Sequence, residues 1–328
     1  MKILISDYKD SMMPTHDYEI EVLKAGLPDA EIVVYEYTDE KREEFMEQLK
    51  DASALLTAFT RIDKEALDVA KELRVVSMNA TGYDNVDLEE ATRHSVGVCP
   101  VGEYCTLDVA EHAIALMLAL NKNLKAYAYD MEHNYQWKYD TPQVPRRIGD
   151  QILGVFGFGK IGKRVAKLAQ GLGMKVIAHD PYVDIEVAKA LDVELVDKDE
   201  IFRCADVISN HMNLGKSNQS YFTAVEFAKM ERKPIFLNLG RGLSVNEADL
   251  ADALDRGQVR AAGLDVLFDE TPDLKNHILA NRNNVIITPH AAFYSEQSFV
   301  DMQRISCENI VNFLTGHKEK VFKLVNEV

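Results

Sequence analysis

The sequence predicts an α/β chain of two doubly wound, parallel-sheet domains. Three observations predict it. Short β-rich runs alternate with helical patterns along all 328 residues. A chain of that length exceeds one comfortable core. The runs of the second half are nearly continuous in apolar residues, as strands buried on both faces must be.

The first series places strands at 2–6, 31–35, 54–57, 75–78 and 96–99, with helical stretches between them at 17–25, 41–49 and 64–71. This β–α–β rhythm belongs to a parallel sheet with helices on both faces. A helix is expected over 106–123. Asp108 and Glu111 have the spacing of a capping box. The apolar face that follows is broad enough to need a domain neighbour or another subunit. Residues 139–150 hold two prolines, two arginines and a glycine and read as a crossing loop. The second series places strands at 152–156, 175–179, 194–195, 207–210, 235–239, 263–266 and 285–287.

Composition narrows the function. Hydrophobic residues at 47% and charged residues at 27% place the chain among globular proteins. A formal charge of −16 repels phosphate backbones, so nucleic acid is not the expected partner. An anionic substrate would need local positive charge at its site. The N-terminal run Met1-Lys2-Ile3-Leu4-Ile5 reads as a buried strand and not as a signal peptide. The longest apolar run, 113–120, is too short for a membrane span. A cytoplasmic protein without a membrane partner is expected. Cys99, Cys105, Cys204 and Cys307 show no Cys-x-x-Cys spacing and read as free thiols. No metal site is expected.

The strongest local motif is Gly157-Phe158-Gly159-Lys160-Ile161-Gly162. It follows one predicted strand, opens a helical pattern over 165–171, and leads to a second strand ending in His179-Asp180. Each part has a physical task in a Rossmann-type dinucleotide domain. Gly157 permits a tight turn, Gly159 lets the backbone approach a pyrophosphate, and Gly162 lets helix and strand pack closely. The helix N-terminus favours the diphosphate. Asp180, 23 residues after Gly157, can accept from ribose hydroxyls and would repel a 2′-phosphate. No arginine follows in 181–184, so NAD is expected over NADP. The bland alternative is a glycine-rich turn with Asp180 as a solvated loop residue.

A nicotinamide enzyme acting on a carbonyl acid needs a group to hold the carboxylate and a proton donor that stays charged near neutral pH. Arg241 follows the strand ending Leu237-Asn238-Leu239 and lies between Gly240 and Gly242. The flanking glycines indicate close approach of something to the backbone. Its guanidinium suits a carboxylate or carbonyl. Glu270 alone reads as a solvated carboxylate. His290 alone, after Val285-Ile286-Ile287-Thr288-Pro289, reads as a structural hydrogen-bonder. Together the three lie past the carboxyl ends of parallel strands, where open α/β sheets bind ligands. A glutamate bonded to the histidine favours its protonated form.

These motifs resemble the D-isomer-specific 2-hydroxyacid dehydrogenase family over essentially the whole chain. The resemblance rests on the glycine turn with Asp180, Asn238-Leu239-Gly240-Arg241-Gly242, Ala262-Gly263-Leu264-Asp265-Val266 and Thr288-Pro289-His290-Ala291-Ala292-Phe293. It implies that Arg241 binds substrate, that His290 is the acid/base and that Glu270 is its partner, with Asp269 the neighbour most easily confused with it. It adds His211, Leu239, Gly240 and Asp265 to the cofactor residues. Ala80-Thr81-Gly82-Tyr83-Asp84-Asn85-Val86-Asp87 also matches, and implies that the Thr81 and Gly82 amides cradle the substrate carboxylate. Val109-Ala110-Glu111-His112-Ala113 matches the family's linking helix, with His112 read as interfacial. Where the family often shows His-x-Pro-Leu, this chain has His211-Met212-Asn213-Leu214, so that loop departs from the pattern.

The resemblance further implies a discontinuous, flavodoxin-like substrate domain at 1–102 and 296–328, an NAD domain at 103–295, a site in the cleft, and a homodimer. Tyr104, Cys105 and Tyr294 are candidate pocket residues beside Phe59. Formate is not expected as substrate. Two other readings stay open: an NAD(H)-sensing corepressor-like protein with weak activity, and a phosphoglycerate dehydrogenase-like enzyme. The latter would need basic residues such as Arg61 and Lys64 for the phosphate.

Overall fold

The computed structural model describes residues 1–11, 13, 15–140, 144–215 and 217–328. It divides into two compact units, Met1–Tyr104 with Ser295–Val328, and Cys105–Tyr294. Residues 141–143 of the expected crossing loop lie outside the described residues.

The first unit holds a five-stranded sheet of β1 (Lys2–Tyr8), β2 (Glu31–Tyr37), β3 (Ala52–Thr57), β4 (Val75–Met78) and β5 (Gly97–Pro100). The order is β2-β1-β3-β4-β5, and every pairing is parallel. That is the flavodoxin-like order. Side chains alternate across this sheet with period two. Leu4, Leu55, Val76 and Val98 fill one face with Phe45 and Leu49. Ile3, Ile5, Leu56 and Val75 fill the other with Ile310 and Phe313 of the helix Glu296–Leu314. That helix is fastened where the Ser77 hydroxyl donates to the Ser306 carbonyl at 2.8 Å.

The second unit holds seven strands: β6 (Ile152–Phe156), β7 (Lys175–His179), β8 (Glu194–Leu195), β9 (Val207–Asn210), β10 (Ile235–Asn238), β11 (Ala261–Leu264) and β12 (Val285–Ile287). Their order is β12-β11-β10-β9-β6-β7-β8, again all parallel. The chain switches direction between β6 and β9, the point at which such sheets bind ligands.

Two of the differences from expectation bear on the site. β11 begins and ends two residues earlier than the predicted 263–266, and Ala261 and Ala262 have little strand propensity of their own. Yet they pair with Ile235 and Phe236. The helix expected over 106–123 runs Thr106–Asn121 with Cys105 at its N-cap. Asp108 therefore lies inside the first turn, and the Asp108–Glu111 capping box does not form. The apolar face of this helix (Val109, Ala113, Leu116, Met117, Leu120) is buried inside its own unit. Among the described residues no helix is long and apolar enough to cross a membrane.

Candidate active site

The glycine turn follows β6. Gly157 has φ +83°, and a Cβ there would stand 2.7 Å from Met212 N and 2.8 Å from the His211 carbonyl. A Cβ on Gly162 would meet Gly157 O at 2.2 Å, so helix and turn touch backbone to backbone. A Cβ on Gly159 would face open space. The helix Lys160–Gly171 starts here with Gly159 as its N-cap and no side-chain cap. Its first amides, at Lys160, Ile161 and Gly162, have no acceptor within the helix, which makes the turn a cradle for an anion. Phe158 and Ile161 anchor the turn in the core.

Asp180 closes the far side. One carboxylate oxygen accepts from Phe158 N at 2.8 Å and the other from Tyr182 N at 2.9 Å. Each oxygen keeps a further lone pair. The carboxylate is thus oriented by the chain, with capacity left for ribose hydroxyls. These residues fit a dinucleotide.

His211 lies beside the turn. Its N–H donates to Phe156 O at 2.8 Å, its Nε2 is 2.8 Å from Ser209 Oγ, and its buried Nδ1 has no partner. Burial pushes its pKa down to about 4, so the ring is neutral at pH 7. The loop without the family's proline still brings His211 to the glycine turn.

Arg241 sits on a turn fixed by a buried polar network that sequence reasoning missed. Asn210 Nδ2 donates to Asn238 Oδ1 and to Ser244 Oγ, both at 2.9 Å. Asn238 Nδ2 and Ser244 Oγ then donate to the Arg241 carbonyl at 3.0 and 2.7 Å. All three are buried. Two asparagines ending adjacent apolar strands in register were the readable signal. Leu239 N donates to Asn210 O at 3.1 Å, adding a backbone tie. The glycines flanking Arg241 are explained by the chain itself. Met212 O would lie 2.9 Å from a Cβ on Gly240, and Leu267 O 1.8 Å from one on Gly242. Arg241 itself is half-buried, with Nη1 donating to Gly240 O at 2.9 Å.

The loop after β11 therefore lies directly against the Arg241 turn. Glu247 holds it further: its carboxylate accepts from Phe268 N at 2.8 Å and pairs with His277 Nε2 at 3.2 Å. This loop carries Glu270, whose Oε2 lies 3.1 Å from His290 Nδ1. The neighbouring Asp269 turns instead to Thr271 N and Oγ1, at 2.9 and 3.0 Å. His290 has φ +51°, a left-handed conformation costly for a side-chain-bearing residue. Buried Asp265 sustains it. Its carbonyl accepts from His290 N at 2.8 Å, and its carboxylate accepts from Ala291 N and Ala292 N at 2.9 and 3.0 Å.

Other predicted residues lie as follows. Thr81 ends a bend after β4 and Gly82 follows it, and among the described residues their amides donate to no acceptor. Tyr104 packs on Met13, Val101, Met302 and Ile305 in the first unit. Tyr294, in the second unit, is exposed beside Phe293. Arg61 Nε pairs with Asp63 at 3.3 Å and Lys64 with Asp68 at 2.7 Å, so both cations are already matched by carboxylates. None of the four cysteines is in a disulfide, and burial pushes Cys99 up to about 12.

Residues 114–292 match the family model for the D-isomer specific 2-hydroxyacid dehydrogenase, NAD binding domain. This match bears out NAD as the cofactor read from the glycine turn. The chain is 33% identical to the hydroxypyruvate reductase of Blautia hydrogenotrophica, over 87% of this chain and 90% of that one. It is 32% identical to the D-3-phosphoglycerate dehydrogenase of Methanocaldococcus jannaschii, over 99% of this chain and 60% of that one. It spans between 40% and 60% of the length of the D-3-phosphoglycerate dehydrogenases it matches. The D-lactate dehydrogenase of Aquifex aeolicus, solved with NAD and lactic acid, superposes with a TM-score of 0.85 at 27% identity, over 99% of both chains.

Proposed function

Because this chain belongs to the D-isomer specific 2-hydroxyacid dehydrogenase family, we propose that it is a cytosolic NAD-dependent D-2-hydroxyacid dehydrogenase working reversibly at C2 of a small 2-keto acid. The observation that carries the reading is the pair His290 Nδ1–Glu270 Oε2, at 3.1 Å, beyond the strand ends of the dinucleotide sheet.

Gly157, Gly159, Lys160, Ile161 and Gly162 hold the diphosphate and Asp180 the ribose; His211, Leu239, Gly240 and Asp265 complete the cofactor residues. Bound there, the nicotinamide supplies hydride-transfer chemistry. The protein's own residues supply the rest. Glu270 occupies Nδ1 of His290, which leaves Nε2 to carry the mobile proton. Nε2 gives it to the carbonyl oxygen in reduction and takes it from the hydroxyl in oxidation. Arg241 faces the acid as a planar donor fork. Thr81 and Gly82 offer main-chain donors for a carboxylate. Tyr104 and Tyr294 are proposed to limit the substrate side chain. The first unit is proposed as the substrate-binding domain.

We also propose a homodimer. Its support lies past the linking helix, where Tyr135, Trp137 and Tyr139 are each at least 87% exposed, near exposed Leu124, Tyr129 and Met131. An apolar group of this kind marks an interaction surface.

The matched charges of Arg61 and Lys64 favour an acid with an uncharged side chain over a phosphorylated one. The test is NADH oxidation with pyruvate, phenylpyruvate, 2-ketoisocaproate, glyoxylate, hydroxypyruvate and phosphohydroxypyruvate. Faster turnover of an uncharged member is expected. No turnover with any, or a preference for phosphohydroxypyruvate, contradicts the reading.

A further inference from the structure

We propose that His112 is a positioning residue for His290, acting through Thr288 and Asp265; this rests on the reading of His290 as proton donor. His112 lies in the helix Thr106–Asn121, far from the other three in sequence. Its Nε2 is 3.0 Å from Thr288 Oγ1. The Thr288 hydroxyl donates to Asp265 Oδ1 at 2.6 Å. A hydroxyl has one proton, and this one is committed to Asp265. The Thr288 oxygen is therefore the acceptor towards the ring, and His112 Nε2 carries the shared proton. The same Nε2 lies 3.7 Å from Asp265 Oδ1.

The far end of this chain of contacts is His290. Asp265 is 2% exposed and uses its carboxylate to capture the amides of Ala291 and Ala292, while its carbonyl captures that of His290. Those three contacts hold the left-handed residue in place, and with it the imidazole against Glu270. The His112 proton fixes the Thr288 hydroxyl, and the hydroxyl fixes the carboxylate. Without the His112 donor, the Thr288 hydroxyl is held by its bond to Asp265 alone, Asp265 loses part of its aim, and the turn relaxes towards ordinary φ. The imidazole then leaves the place where Glu270 meets it. His112 needs no contact with substrate or cofactor to act in this way.

The test compares His112→Ala, His112→Gln, Thr288→Val, Thr288→Ser and the double variant His112→Ala/Thr288→Val. Steady-state kinetics use pyruvate and hydroxypyruvate as probes. NADH affinity is read by fluorescence. The imidazole of His290 is followed by NMR of labelled protein, assigned by the signal lost in His290→Gln. In His112→Ala and Thr288→Val, kcat is expected to fall about tenfold to a hundredfold, the scale of a displaced catalytic group, with KM within about twofold and NADH affinity falling by clearly less than kcat, since Asp265 is also a cofactor residue. The His290 signal moves in both. His112→Gln, which keeps an N–H donor, and Thr288→Ser, which keeps the hydroxyl, restore kcat and the signal. The double variant is no slower than Thr288→Val alone.

The proposal is overturned if the losses multiply in the double variant, if Gln and Ser fail to restore, if NADH affinity falls as much as kcat, or if the His290 signal stays put. Should His112→Ala not fold, the Val and Ser variants decide the matter alone. Full turnover in His290→Gln would instead sink the functional reading, whereas an inactive His290→Gln beside a normal Thr288→Val sinks only the His112 role.

Discussion

The carbonyl oxygen of Leu267 stands 1.8 Å from the point a side-chain carbon on Gly242 would occupy. The turn bearing Arg241 and the loop bearing Glu270 are thus in backbone contact. Gly242→Ala must push them apart. Overpacking of this kind costs about 1–3 kcal/mol. We expect that loss in urea unfolding, with a kcat lowered at least tenfold under conditions where the variant stays folded, since a small misplacement at the site costs about that or more. A fully active alanine variant would show that this contact does not set the site.

Asp180 is aimed by two amides, those of Phe158 and Tyr182. Asp180→Ala removes the ribose acceptor and leaves both amides without it. A hydrogen bond to a charged group contributes about 1.5–3 kcal/mol, or roughly tenfold or more in affinity. The KM for NADH should rise by that factor, and the preference for NADH over NADPH should narrow. An unchanged NADH-to-NADPH ratio of KM values would remove Asp180 from cofactor choice.

His211 connects the same turn to acid stability. Burial holds its pKa at about 4, against about 6.5 in an unfolded chain. The unfolded state therefore binds an extra proton between those values, and stability falls as pH drops through that window. The contribution is fully present above pH 6.5 and is lost by about pH 4, a total of up to about 3 kcal/mol. His211→Gln should flatten this part of the stability curve measured by denaturant titration. An equally steep curve in the variant would assign the acid sensitivity to other groups.

Trp137 is the single tryptophan of the chain and is 92% exposed. If a second copy covers it, emission will be blue-shifted at micromolar protein and move red on dilution, as light scattering passes from dimer to monomer mass. Trp137→Ala with Tyr135→Ala should weaken the dimer at least tenfold, the scale of a lost aromatic hot spot. A wild-type monomer at high concentration contradicts the homodimer.

Sequence reasoning reached the parts of this site that are local. The glycine turn, Asp180 and the strand-end positions of Arg241 and His290 follow from residues close together in the chain. The Gly240 and Gly242 pattern also spoke of close approach, but a sequence does not say what approaches; Met212 and Leu267 do. The contacts between His112, Thr288 and Asp265 were out of reach, because they join residues up to 176 positions apart. β11 was misplaced for a different reason: Ala261 and Ala262 are held as strand by their neighbours β10 and β12, not by their own propensity.

The most direct measurement is kcat for keto-acid reduction by His290→Gln, with NADH affinity determined on the same preparation. A general acid contributes about 10²–10⁴-fold. A loss of that size with unchanged NADH affinity is predicted. Turnover within about threefold of wild type would contradict the central role of His290 and its partnership with Glu270.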